Sequence, residues 1–287
     1  MSFGLALSGG GTKGAAHVGV LLALEEAGML PSSIAGTSAG ALVAGLYAAG
    51  NSPQSLKEIV TDMSNRGLYY FDADLLGVLK AVPQFLIHHT IELTGFLKGN
   101  RIERLLNKYS GGKNIKEVGL RTILPAVDIN SGKTIVYTNS LANVPPLNGA
   151  EWKTDILLSA AMRASMAVPV VFQPKIIDGM CLVDGGVTDV LPVDLLIAAG
   201  EANVLAVDLA SEYETPKKQN IIDISTHSLS IMSTRLKECR SHGERLLLNP
   251  SLPEESGLLI FEQMEACMNA GYEAAKENIP AIKALFA

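Results

Sequence analysis

Two glycine-rich turns near the start of this chain constrain its fold more than any other feature, because each sits where a short apolar run gives way to helical spacing. The first is Ser8-Gly9-Gly10-Gly11-Thr12-Lys13-Gly14, after the run Phe3 to Leu7. The second is Gly36-Thr37-Ser38-Ala39-Gly40, after Ile34-Ala35. A brief, wholly apolar run is the pattern of a strand buried on both faces, and parallel strands need a crossover, most often a helix, to connect them. Strand–helix–strand–helix order therefore predicts an α/β fold whose mostly parallel sheet is covered on both faces.

The rest of the chain extends that pattern. Residues 14–27 and 39–49 carry helical spacing, and Ser52-Pro53 opens a further helix. Strands are expected at 121–128 and 133–137, joined by Asn130-Ser131-Gly132, then at 204–209 and 246–248. A hairpin around Asp178-Gly179 would join 175–177 to 180–183, and 152–162 reads as helical. Helices are also expected over 221–240 and 261–278, the second stopped or kinked at Pro280. An apolar insertion covers roughly 67–110 and a helical region roughly 221–287; with no repeat or linker, residues 1–287 read as one domain. Within the insertion, 67–100 reads either as packing or as a surface offered to acyl chains or a membrane interface.

Composition excludes several functions. Apolar residues are 48% and charged residues 18%, which permits a large core and argues against disorder. A formal charge of −6 gives no support for nucleic-acid binding. Cys181, Cys239 and Cys267 are widely spaced with no C-x-x-C pair, so neither a metal site nor a disulfide framework is expected. No apolar stretch reaches the ~20 residues of a membrane span. The N-terminus reads as a first strand rather than a signal peptide, and the expected location is cytoplasmic, with peripheral contact at the inner membrane surface allowed.

The chemistry lies in the turns. Gly9, Gly11 and Gly14 satisfy G-x-G-x-x-G, but the second strand ends in Ile34-Ala35-Gly36-Thr37-Ser38 without the carboxylate that a dinucleotide site wants. A Walker A loop fails because Ala15 follows Gly14. The loop suits one developing oxyanion, held by amides around Gly10 and Gly11. Gly36-Thr37-Ser38-Ala39-Gly40 fits G-x-S-x-G, with Gly36 and Gly40 relieving crowding around a nucleophile on a strained corner. A serine needs a base. His17 lies in the first helix and His88 and His89 in the insertion; His227 or His242 would complete a Ser-His-Asp triad. Asp184, opening Asp184-Gly185-Gly186 after the run Met180 to Val183, is the better-placed candidate.

These motifs, in this order, together with His17-Val18-Gly19-Val20-Leu21 and Ser165-Met166-Ala167-Val168-Pro169, resemble the patatin-like phospholipases from about residue 3 to 195. The resemblance implies a three-layer α/β fold and a Ser–Asp dyad without histidine. It makes Ser38 the nucleophile, Asp184 the general base, and Gly9, Gly10 and Gly11 the oxyanion donors, supported by Thr12, Lys13, Gly14, Gly36, Gly40, Gly185 and Gly186. It also implies a lipid or acyl-ester substrate, with no cofactor and no metal. Val190 departs from the pattern, since relatives often have asparagine there. A soluble carboxylesterase or thioesterase and a non-catalytic lipid- or partner-binding scaffold are the alternatives.

Overall fold

The computed structural model describes residues 2–88, 92–210, 220–239 and 243–286. The first half runs β1 (Gly4–Leu7), α1 (Ala15–Glu26), β2 (Ser33–Gly36), α2 (Ala39–Ala48), α3 (Pro53–Tyr70), α4 (Leu75–His88), β3 (Gly95–Leu97) and α5 (Asn100–Tyr109). Next come β4 (Arg121–Asp128), β5 (Lys133–Thr138), β6 (Ala150–Lys153), α6 (Leu158–Ser165), β7 (Val170–Phe172), β8 (Lys175–Ile177) and β9 (Met180–Asp184). Then α7 (Val193–Ala198), β10 (Val204–Val207), α8 (Ile221–Cys239), β11 (Leu246–Leu248) and α9 (Met264–Phe286) complete the order.

The main sheet runs β11-β10-β1-β2-β4-β5-β6, parallel from β11 to β4 and antiparallel at β4–β5. Alternation along the strands divides the core. Leu5, Leu7, Ile34, Leu205 and Val207 face a large layer that includes α1, α2, α3, α5, α6 and α9. Ala6, Ala35 and Ala206 face the other side, where small side chains let the short helix α7 pack close with Val193, Leu195 and Leu196. The sheet is thus mostly parallel with helices on both faces, a three-layer α/β arrangement.

Strand β4 is the ruler that brings the two glycine-flanked turns of interest together. β5 occupies one of its edges, and the other is shared: β2 pairs at its start and β9, running antiparallel, at its end. Ala35 stands opposite Ile123, and Asp184 stands opposite Ala126, three residues further along. The end of β2 and the end of β9 therefore meet head to head beside the middle of β4.

Several expectations needed revision. Residues 150–153 form β6 rather than the start of a helix, because they pair with Thr134–Tyr137 of β5; helix begins only at Leu158. Helix α9 continues through Pro280 to Phe286, where Phe286 is buried against Phe3 with ring centroids 5.2 Å apart. Pro83 likewise lies within α4. Strands β3 and β7, a separate parallel pair, were not foreseen. Close contact binds α9 to α1: a Cβ at Gly19 would lie 1.9 Å from the Met268 carbonyl, and one at Gly271 2.0 Å from that of Ala16. Among the described residues no helix is long and apolar enough to cross a membrane.

Candidate active site

Ser38 caps the N-terminus of α2 with φ 54° and ψ −119°. L residues rarely adopt such backbone, at a cost of roughly 1–3 kcal/mol, so the surroundings must hold it in place. The glycines around it are compulsory for space. A Cβ at Gly36 would lie 2.2 Å from the Gly40 carbonyl oxygen, and one at Gly40 2.3 Å from that of Leu7. Gly14 packs as closely on Ala39, where an added Cβ would approach to 2.5 Å. A Cβ at Gly9 would come within 3.4 Å of the Ser38 Cβ, so the first glycine turn lies directly beside the serine.

Asp184 is buried at the end of β9. Its Oδ1 accepts the Gly186 N–H at 2.7 Å, which the turn through Gly185 makes possible by running against the Pro125 carbonyl. Oδ2 is buried and, among the described residues, has no hydrogen-bond partner. Burial pushes the Asp184 carboxyl up to about 6, against the opposing pull of the nearby Ser38 hydroxyl and the Gly186 amide. A buried carboxylate with one spare oxygen beside a serine hydroxyl is equipped to take that hydroxyl's proton.

Three tethers join the turns. Thr37 Oγ1 donates to the Asp189 carbonyl at 2.8 Å, Gly9 N–H to the Val190 carbonyl at 2.9 Å, and Ser38 N–H to Ser165 Oγ at 3.1 Å. The second tether alters the expected anion site: the Gly9 amide is already engaged, whereas no described group accepts from those of Gly10 and Gly11. It also shows what Val190 contributes, a backbone carbonyl that is independent of its side chain. Thr12 anchors the loop from behind, its hydroxyl reaching the carbonyls of Gly257 at 2.6 Å and Ile260 at 2.9 Å. Lys13 lies half-buried in the 3-10 turn Gly11–Gly14.

His17 is fully buried, its Nε2 2.8 Å from the Ser8 carbonyl, and burial lowers its pKa to about 4. It supports the glycine loop from α1. His89 and His242 lie outside the described residues, His227 lies in α8, and the hydrogen bonds of Ser38 N–H and Asp184 Oδ1 go to Ser165 and Gly186. Ser165 was read only as part of a motif; its bond to Ser38 spans 127 residues and left no local signal. Among the described residues, no group of three or more His, Cys, Asp or Glu is arranged to hold a metal ion.

A three-layer α/β sheet carrying a serine at a strand-to-helix corner beside a buried aspartate defines a recognisable class, and the comparisons give its family. The chain belongs to the patatin-like phospholipase family, whose model matches residues 5–197. It is 26% identical over 302 residues to lysophospholipase NTE1 of Mycosarcoma maydis, covering 96% of this chain and 15% of that protein. It is 29% identical over 227 residues to patatin-like phospholipase domain-containing protein 6 of Mus musculus, covering 79% of this chain and 14% of that one. The chain thus spans about a seventh of the length of these relatives. The crystal structure of VipD from Legionella pneumophila shares the fold, with a TM-score of 0.50 at 15% identity over 98% of this chain and 67% of that one.

Proposed function

We propose that this chain is a serine-dependent lipid acyl hydrolase that cleaves carboxylic esters of phospholipids or lysophospholipids through a Ser38–Asp184 dyad. The observation that carries this reading is the buried Asp184 carboxyl, with Oδ2 unpartnered, beside a serine on strained backbone. Family membership and the names of the relatives support the lipid ester as substrate.

In this mechanism Asp184 Oδ2 takes the Ser38 proton as Oγ attacks the ester carbonyl. The oxyanion is held by the amides of Gly10 and Gly11, while the Gly9 amide ties the loop to Val190. Collapse of the tetrahedral adduct breaks the ester C–O bond, and the Asp184 proton passes to the departing alkoxide. Water, deprotonated by the same carboxylate, then attacks the acyl-Ser38 ester, and the proton returns to Ser38 as the fatty acid leaves.

Peripheral contact with lipid through 67–100 belongs to the proposal. Leu75, Leu76, Leu79 and Leu86 of α4 are 69%, 64%, 71% and 70% exposed. Residues 67–100 carry two lysines against three aspartates and glutamates, so what this segment offers is apolar surface rather than basic charge. Exposed leucines on one helix suit the apolar boundary of a lipid surface.

Hydrolysis of a short p-nitrophenyl ester in the presence of EDTA tests the reading, with wild type compared to Ser38→Ala and Asp184→Asn. Loss of activity in both folded variants is expected. Activity in Asp184→Asn would return the base to a histidine, and inactivity of the wild type on every chain length would favour a binding scaffold.

A further inference from the structure

The C-terminal turn of α6 touches both halves of the dyad. Ser165 is fully buried, and its Oγ accepts the N–H of Ser38 at 3.1 Å. Two residues on, the Ala167 carbonyl accepts the N–H of Asp184 at 2.9 Å. Positions 38 and 184 are thus both referenced to one three-residue turn, Ser165-Met166-Ala167. The Ala167 link is backbone to backbone, so side-chain replacement leaves its donor and acceptor in place. The Ser165 link depends on one hydroxyl, and it acts on the residue whose backbone is strained.

Resting on the dyad reading above, we infer that Ser165 is a positioning residue for acyl transfer: its hydroxyl holds the Ser38 backbone in the unfavourable conformation that aims Oγ at Asp184. Among the described residues Ser38 N–H has no other acceptor. Ser38 precedes the first turn of α2, where an N–H has no partner four residues back. Burial also denies it water. Without the Ser165 oxygen the N–H is orphaned and the corner is free to relax toward ordinary backbone, which swings Oγ away from the carboxylate. The tethers from Thr37 to Asp189 and from Gly9 to Val190 hold the neighbouring turns, and the Ser38 carbonyl accepts the N–H of Ala41 at 2.9 Å on the helix side, which leaves Ser165 to hold the N–H side of the serine.

Steady-state kinetics on a soluble ester would compare wild type with Ser165→Ala and Ser165→Cys. The cysteine keeps nearly the same shape while offering a much poorer acceptor, so it serves if the alanine variant folds badly. Ser159→Ala is the control, since it removes another buried hydroxyl from the same helix, one that reaches Asn107 Oδ1 at 3.3 Å and no residue of the dyad. The expected result is a kcat lowered ~10–100-fold in both Ser165 variants, as for a misplaced reacting group, with KM within about twofold of wild type. The rate of fluorophosphonate labelling at Ser38 should fall in parallel. A kcat matching that of Ser159→Ala, or a loss proportional only to the unfolded fraction seen by circular dichroism, would overturn the inference while leaving the dyad intact. Full activity of Ser38→Ala would overturn the dyad itself, whatever Ser165 does.

Discussion

Nε2 of His17 donates to the carbonyl oxygen of Ser8 over 2.8 Å, and Nδ1 of the same ring is buried without a partner. The imidazole is therefore held neutral behind the glycine loop, with a pKa lowered to about 4. Folding excludes its proton, so stability is lost as pH falls from about 6.5 toward 4. Asp184 has the opposite sign. Its raised pKa of about 6 means the stability it contributes is complete below the ordinary value of 3.8 and is lost as pH rises toward 6.

The two windows overlap, so each residue masks the other, and substitution unmasks them. Relative to wild type, Asp184→Asn should gain stability as pH rises from 4 to 6 and keep the gain at pH 8. On the order of 3 kcal/mol follows from about 1.4 kcal/mol per pKa unit. His17→Gln should lose less stability than wild type between pH 6.5 and 4. Urea unfolding of both variants at pH 4, 6 and 8 checks the signs. Parallel curves for Asp184→Asn and wild type would mean that this carboxyl is not buried as a shifted acid.

On the proposed mechanism the same carboxyl sets the rate profile. A base of pKa about 6 should make kcat/KM on a soluble ester climb about tenfold per pH unit below 6 and level off above it. Asp184→Asn should remove the activity rather than shift the midpoint. A midpoint near 7 surviving in that variant would point to imidazole as the base.

The elbow glycines separate space from backbone preference. Gly36→Ala and Gly40→Ala drive a methyl into carbonyl oxygens 2.2 and 2.3 Å away, and overpacking of this kind costs roughly 1–3 kcal/mol or more. Gly28 has φ 71° with nothing near its hypothetical Cβ, so Gly28→Ala pays only the left-handed penalty of about 1–2 kcal/mol. Melting temperatures should fall further for Gly36→Ala and Gly40→Ala, and those two should also lose ester hydrolysis, while Gly28→Ala retains it.

Much of this arrangement was legible because turn chemistry is local. Glycines at 11, 36 and 40 mark corners that leave no room for a side chain, and the apolar runs before them read as buried strands. What escaped was decided at a distance. Trp152 sits in a stretch with helical spacing, yet pairing with β5 makes it strand, a case of tertiary contact overriding propensity. Pro280 removes one helical hydrogen bond from α9, but burial of Ile282 and Phe286 beyond it holds the helix on course. Ser165 was visible as a motif and silent as to its partner, and the occupied Gly9 amide depends on Val190, 181 residues away.

Lipid contact is tested most directly on α4. Among the described residues its exposed leucines have no partner that would explain them, and the helix packs chiefly on β3. Burying a leucine in a lipid interface is worth up to ~1.5–3 kcal/mol, so replacing Leu76 and Leu79 together by glutamate should weaken binding to phosphatidylcholine vesicles containing phosphatidylglycerol by well over about tenfold. Charge adds to the effect, since two carboxylates would oppose an anionic surface. The same double variant should hydrolyse a soluble p-nitrophenyl ester at the wild-type rate, because neither leucine belongs to the dyad, its tethers or the glycine loop. Co-sedimentation and ester hydrolysis measured side by side check both halves. Unchanged vesicle binding would free α4 from any role at lipid and return it to ordinary packing; a matching loss of soluble activity would mean that the helix supports the site itself.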